Sequence, residues 1–141
     1  MSKIFLWPAT LIIILVFASF STLAEAKTTI NETQCVMDSY LTPATATALN
    51  SSSGMQINSS KDNRLILLIA NTAAAAGLNV TVEKGVYFRS GLGNLSLTIP
   101  KSSTRLIGPL ESSRFEQADG KIYIAINNTN GNVIGYRLPS S

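Results

Sequence analysis

Beyond residue 26, the side chains able to move a proton are seven carboxylates: Glu32, Asp38, Asp62, Glu83, Glu111, Glu116 and Asp119. The chain has no histidine and a single cysteine, Cys35. Without imidazole there is no Ser-His-Asp or Cys-His nucleophile and no histidine metal ligand. One cysteine makes neither an intrachain disulfide nor a four-cysteine zinc site. Paired carboxylates are the remaining option, and glycosidase-type chemistry needs two of them facing each other at about 5–10 Å. No pair is flanked by aromatics or glycines that would build a cleft, so the carboxylates read as solvated surface charge. Gly91-Leu-Gly-Asn94 precedes a strand pattern, whereas a phosphate-cradling loop opens a helix, so it reads as a turn. There is no Ser-x-x-Lys acylation motif. No catalytic, cofactor-binding or metal-binding residue is assigned.

The asparagines carry the more specific signal. Asn31, Asn50, Asn58, Asn79, Asn94 and Asn127 each begin an Asn-x-Ser/Thr sequon, the acceptor of an N-linked glycan in an exported protein. The competing reading is a Ser/Thr/Asn-rich β surface with accidental sequons. Residues 1–26 support export. Lys3 precedes an apolar run densest at 11–17, and Ala24-Glu-Ala26 supplies the small-x-small pattern of a cleavage site that leaves Lys27 as the new N-terminus. An uncleaved anchor is the alternative, weakened by Pro8 and by the Ser and Thr at 19, 21 and 22. No second apolar span of about 20 residues follows, so the signal segment is the only expected membrane contact. A 45% hydrophobic fraction excludes a disordered chain. Charged residues are only 13%, and the net charge of +3 has no basic cluster behind it, so a nucleic-acid partner is not expected.

The elements that would position these residues read as strands. RLILLIA (64–70) is a continuous apolar run suited to a central strand. LNVTVE (78–83), LSLTI (95–99) and KIYIAI (121–126) alternate apolar and polar residues with the period of a half-buried strand. TRLIG (104–108), SRFEQ (113–117) and NVIGYRL (132–138) are further candidates, and Pro100 ends the strand before it. Asp119-Gly120 predicts a type I′ hairpin with positive φ at both residues. AAAA (73–76) is too short to hold a helix and reads as a loop. Phe88, Phe115 and one of Tyr123 and Tyr136 are expected in the core, although Tyr87-Phe88 would expose one ring if both lay on a strand. The fold class is all-β: a single antiparallel β-sandwich, immunoglobulin-like or jelly-roll-like, over 60–141. Residues 27–59 are small and polar without sustained periodicity, and are expected to form an extended N-terminal arm able to add a strand to a neighbour's sheet.

The layout of RLILLIANTAAAAGLNVTVEKG, LSLTIP, RLIGP, FEQADG and IYI over about residues 60–139 resembles small β proteins of phage and microbial genomes, which in phages look like virion-surface or head-decoration components. Arg105, Gly108, Pro109, Phe115, Gln117, Asp119 and Gly120 match that layout as turn and core residues, so the resemblance implies a fold and no site. The signal segment and the sequons depart from it. The overall profile is similar to a fimbrin of methanogenic archaea, which would place the chain in an adhesive surface filament.

These readings converge on a secreted, non-enzymatic structural subunit of a fimbria-like filament, located on the cell surface, mediating adhesion and partnered by copies of itself. The alternatives are a monomeric module binding carbohydrate or a wall polymer, and a virion-surface subunit. Two mutational expectations follow. Leu97→Asp should unfold the domain by burying a charge, and deletion of 27–50 should leave a folded monomer that no longer polymerises. Cys35 is expected as an inert thiol or an intermolecular bridge.

Overall fold

Residues 25–140 are described in a computed structural model. Most of the signal segment, including Ala24, lies outside the described residues. Of the expected cleavage site, Ala26 is exposed, and Lys27 is half-buried with its Nζ 4.7 Å from the centre of the Tyr123 ring.

Ten strands form two packed sheets. They are β1 (Thr28–Thr29), β2 (Glu32–Gln34), β3 (Thr47–Ala48), β4 (Met55–Asn58), β5 (Leu65–Asn71), β6 (Leu78–Val82), β7 (Leu95–Ile99), β8 (Ser103–Leu110), β9 (Lys121–Ile126) and β10 (Gly131–Arg137). The first sheet has the order β1-β4-β9-β6-β7, and the second β2-β10-β5-β8, with β3 also paired to β10. The all-β sandwich expected from the alternating segments is the observed architecture. Leu78, Val80 and Val82 of β6 pack with Ile122, Ile124 and Ile126 of β9 against Leu65, Leu67 and Ile69 of β5, all within one buried core. The pairings are mostly antiparallel, but β1 runs parallel to β4 and β2 parallel to β10. Both sheets are therefore mixed.

The parallel pairs come from the N-terminal segment, and here the structure differs from the sequence expectation. Residues 27–59 supply four strands to the chain's own sheets and no free arm. β1 lies at the edge of one sheet and β2 at the edge of the other, so 28–34 crosses between the layers and closes that side of the sandwich. Ile30, Leu49, Met55 and Ile57 are buried. Burying one such side chain stabilises by about 1.5–3 kcal/mol, which is why an aperiodic segment still folds in place. The domain begins near residue 28 and not at 60.

Two local departures have identifiable causes. SRFEQ overlaps a one-turn helix, α1 (Ser112–Phe115), with Glu116 bridged to Ile122. The Asp119-Gly120 hairpin has positive φ only at Gly120, +76°, so it is not type I′. Gly120 N donates to Gln117 O and Gln117 N to Lys121 O, a turn closed by one left-handed glycine. Asp119 adds an acceptor to Lys121 N and to the Tyr123 hydroxyl. Gly108 has φ +126°, and a Cβ there would stand 2.8 Å from Leu65 O. It sits opposite the register shift between Leu65 and Leu67, where edge strand β8 bends.

Leu97 is also placed differently. It pairs with buried Val80 and so lies on the inward face of β7, but β7 is an edge strand and Leu97 is 39% exposed. The expectation that a charge at this position unfolds the domain rested on full burial, which this edge does not provide.

Candidate functional site

The two sheets differ in their outer faces. The first presents Gln56 and Asn58 of β4, Asn79 and Thr81 of β6, and Ser96 and Thr98 of β7, as strict alternation requires. The second is apolar outside as well as inside. Tyr136 pairs with Ile66, Ile134 with Leu68, and Leu68 with Leu106, giving a row of large apolar side chains across β10, β5 and β8. The inner residues of β5 are Leu65, Leu67 and Ile69, so the continuous run in RLILLIA is a strand apolar on both sides. Ile66, Leu68, Ile134 and Tyr136 are half-buried, and Leu106 is 67% exposed.

This face continues around the edge of the sandwich. β7 and β8 are the edge strands of the two sheets on the side opposite β1 and β2, and among the described residues no further strand pairs with either. Between them lies a groove of about 220 Å³ lined by Leu97, Thr98, Ile99, Arg105, Leu106 and Ile107. Among the described residues the Arg105 guanidinium donates only to the carbonyl of neighbouring Thr104. At the opposite edge, the 35–46 loop leaves β2 and returns through β3, both paired to β10. It exposes Val36, Met37 and Tyr40, at 63%, 61% and 94%. Asp38 between them is exposed. Cys35 at the loop's root is half-buried with a free thiol.

The sequons divide by geometry. The glycan-bearing atom would be Nδ2. In Asn31 it donates to Thr45 O at 2.9 Å, and in half-buried Asn50 to Thr28 Oγ1 at 2.9 Å and Ser53 Oγ at 3.0 Å. In Asn79, Asn94 and Asn127 only Oδ1 is engaged, accepting from Thr98 Oγ1, Lys84 N and Asn79 N respectively. Asn58 is exposed on β4. These four, exposed and with Nδ2 available among the described residues, belong to the first sheet or its turns. None lies on the apolar face.

The carboxylates are not uniformly solvated, contrary to the sequence expectation. Asp38 is exposed, and Glu111 pairs with Arg89 at 2.8 Å. Glu32 and Asp62 are brought together through Arg137, which is 5% exposed and lies 2.9 and 3.2 Å from them. Asp62 also takes Arg64 at 2.7 Å. Burial opposes its ionisation, but the hydrogen bonds from Arg64 and the charges of Arg137 and Arg64 outweigh it and hold its pKa below the usual carboxylate value. Asp119 raises the pKa of Tyr123 by accepting its hydroxyl proton in a hydrogen bond, helped by burial and by the charges of Asp119 and Glu83. Glu116 is 3% exposed and accepts from Ser59 Oγ at 2.6 Å. It borders a cavity of about 270 Å³ with Lys61, Tyr87, Phe88, Ser112 and Ser113. Phe88, expected in the core, is 88% exposed because 88–92 is a 3-10 turn and not a strand. Phe115 is buried as expected, whereas Tyr123 and Tyr136 are half-buried on outer faces.

Comparison of the chain with protein-family models, curated proteins and solved structures finds no match. The apolar outer face was signalled by the unbroken run at 65–70. The burial of Glu116 and Arg137 had no local signal, since their partners lie 57 to 105 residues away.

Proposed function

We propose that this chain is a secreted structural subunit that assembles with copies of itself into a fimbria-like surface filament serving attachment, without a catalytic step. The observation that carries the reading is the pair of apolar surfaces at opposite edges of the sandwich: the Val36/Met37/Tyr40 loop on one side and the Leu97/Leu106 groove on the other. A contact between unlike surfaces on opposite sides is head-to-tail, and such contacts propagate when the rotation does not close. Charge favours the same pairing, because Asp38 on the loop and Arg105 in the groove are opposite in sign. The unpaired backbone of β7 and β8 would add main-chain hydrogen bonds. The second sheet's apolar outer face offers lateral packing, and the four accessible sequons lie away from it. Export through residues 1–26 and use of the sequons are part of this proposal. N-terminal strand exchange is not its mechanism, because 28–58 is already paired within the chain.

The test is light scattering and negative-stain microscopy of the mature chain from Lys27. Concentration-dependent polymers are expected, and Leu97→Asp with Leu106→Asp should return a folded monomer. A wild-type chain that stays a monodisperse monomer at millimolar concentration overturns the reading.

A further inference from the structure

We infer that the cavity beneath Tyr87 and Phe88 is a saccharide site taking one neutral pyranose. The inference does not rest on the assembly reading, since this cavity is distinct from the β7/β8 groove. The backbone carrying an 88%-exposed phenylalanine is held by hydrogen bonds on both sides. Gly85 N donates to Arg114 O at 2.7 Å, and Val86 N to Glu116 O at 3.0 Å. Gln117 Nε2 donates to Lys84 O at 2.9 Å, and Arg89 pairs with Glu111 at 2.8 Å. Arg114 Nε donates to Gly93 O at 3.2 Å, closing the far end of the 83–94 segment. Gly85 is required at this approach, because a Cβ would collide with the Glu116 backbone. The backbone that presents the aromatic pair is thus fixed, which lowers the ordering cost of binding.

Below the rings the wall is mostly apolar, with a few polar groups set into it. Glu116 is 3% exposed as a residue, and its side chain has one hydrogen bond among the described residues, from Ser59 to Oε2. A carboxyl group offers about four lone-pair sites, so most of its hydrogen-bonding capacity is unused. Ser112 and Ser113 add hydroxyls that both donate and accept, and Lys61 adds a donor. A pyranose matches this arrangement, because its C–H face stacks on an aromatic ring while its hydroxyl edge donates to a carboxylate and exchanges hydrogen bonds with hydroxyls. The lining holds one basic and one acidic residue and no cluster of like charge, which gives an anion or a cation no advantage over a neutral ligand. The volume of about 270 Å³ lies just below the usual range for pockets that take drug-sized ligands, which suits a single ring.

The experiment is a titration of the isotope-labelled mature chain with a panel of methyl pyranosides, read by amide chemical shifts. At least one pyranoside should shift the resonances around 61, 87–88 and 112–116, with a Kd near ~1 mM. Phe88→Ala alters an exposed residue, so the fold should persist, and it should weaken binding by about tenfold or more. Glu116→Gln should weaken it as well, while polymer formation by either variant stays as in the wild type. The proposal is overturned if no pyranoside shifts these resonances, if Phe88→Ala binds as the wild type does, or if methylammonium or phosphate binds there in preference to every pyranoside. None of these outcomes depends on whether the chain polymerises.

Discussion

Arg137 near the C-terminus reaches across 105 residues of sequence to place its Nη2 2.9 Å from Glu32 Oε2. The same guanidinium donates to the carbonyls of Asn58 and Ser59 and to Asp62. One buried side chain therefore ties β2, the end of β4 and the 59–62 turn to β10. Its Nε has no partner among the described residues, so the cluster specifies the position of the N-terminal segment at some cost in stability.

Removing the guanidinium should be severe. Arg137→Ala leaves Asp62 and Glu32 without their shared partner and is expected to cost about 3–5 kcal/mol, a large share of a domain's stability. Glu32 is more exposed than Asp62, so Glu32→Gln should cost only about 0–1 kcal/mol. Urea unfolding followed by circular dichroism measures both, and equal losses would contradict the burial of Arg137.

The same cluster makes stability acid-sensitive. The folded-state pKa of Asp62 is depressed, so the unfolded chain binds a proton more readily than the folded one. Its contribution is fully present above the unfolded value, about 4, and is lost as pH falls through the lower folded value. The urea midpoint should drop across that window, and Asp62→Asn should flatten the drop.

Deleting residues 27–50 should destabilise or unfold the domain. The deletion removes β1, β2 and β3, takes buried Ile30 and Leu49 out of the core, and strips Arg137 of Glu32. Near-UV circular dichroism and amide exchange of the truncated chain give the measurement. A fully folded truncated monomer would show that these strands contribute no net stability.

Two edge leucines should separate folding from assembly. Leu106→Asp alters a 67%-exposed outer residue and should change monomer stability by no more than about 0.5 kcal/mol. Leu97→Asp is costlier, about 1–3 kcal/mol, because Leu97 lies on the inward face of β7 beside Val80. Both should abolish polymer formation in light scattering while thermal melts remain cooperative.

Sequon use should follow hydrogen-bond geometry. In a host that attaches N-linked glycans, peptide mass analysis should find occupancy at Asn58, Asn79, Asn94 and Asn127. Asn50 should stay bare if folding precedes transfer, because its Nδ2 holds Thr28 and Ser53. Asn50→Gln should then leave the glycoform mass pattern unchanged.

What could be read without a structure was whatever depends on near neighbours in the chain. The period-two patterns at 78–82, 95–99 and 121–126 identify strands and their inward faces, because alternate side chains of an extended backbone must point to opposite sides. The unbroken run at 65–70 likewise marks β5 as apolar on both faces. Tertiary structure alone decided the rest. The 27–59 segment has no period because its strands are two to four residues long, so its place comes from pairing with β4, β9 and β10. Whether Leu97 is covered depends on β7 being the last strand of its sheet, and that order is a property of the whole chain. Burial of Glu116 and Arg137 likewise depends on Ser59, Glu32 and Asp62, which come near them only when the sandwich closes. Local sequence determines which way a side chain points along its strand, and packing between distant segments determines what it meets there.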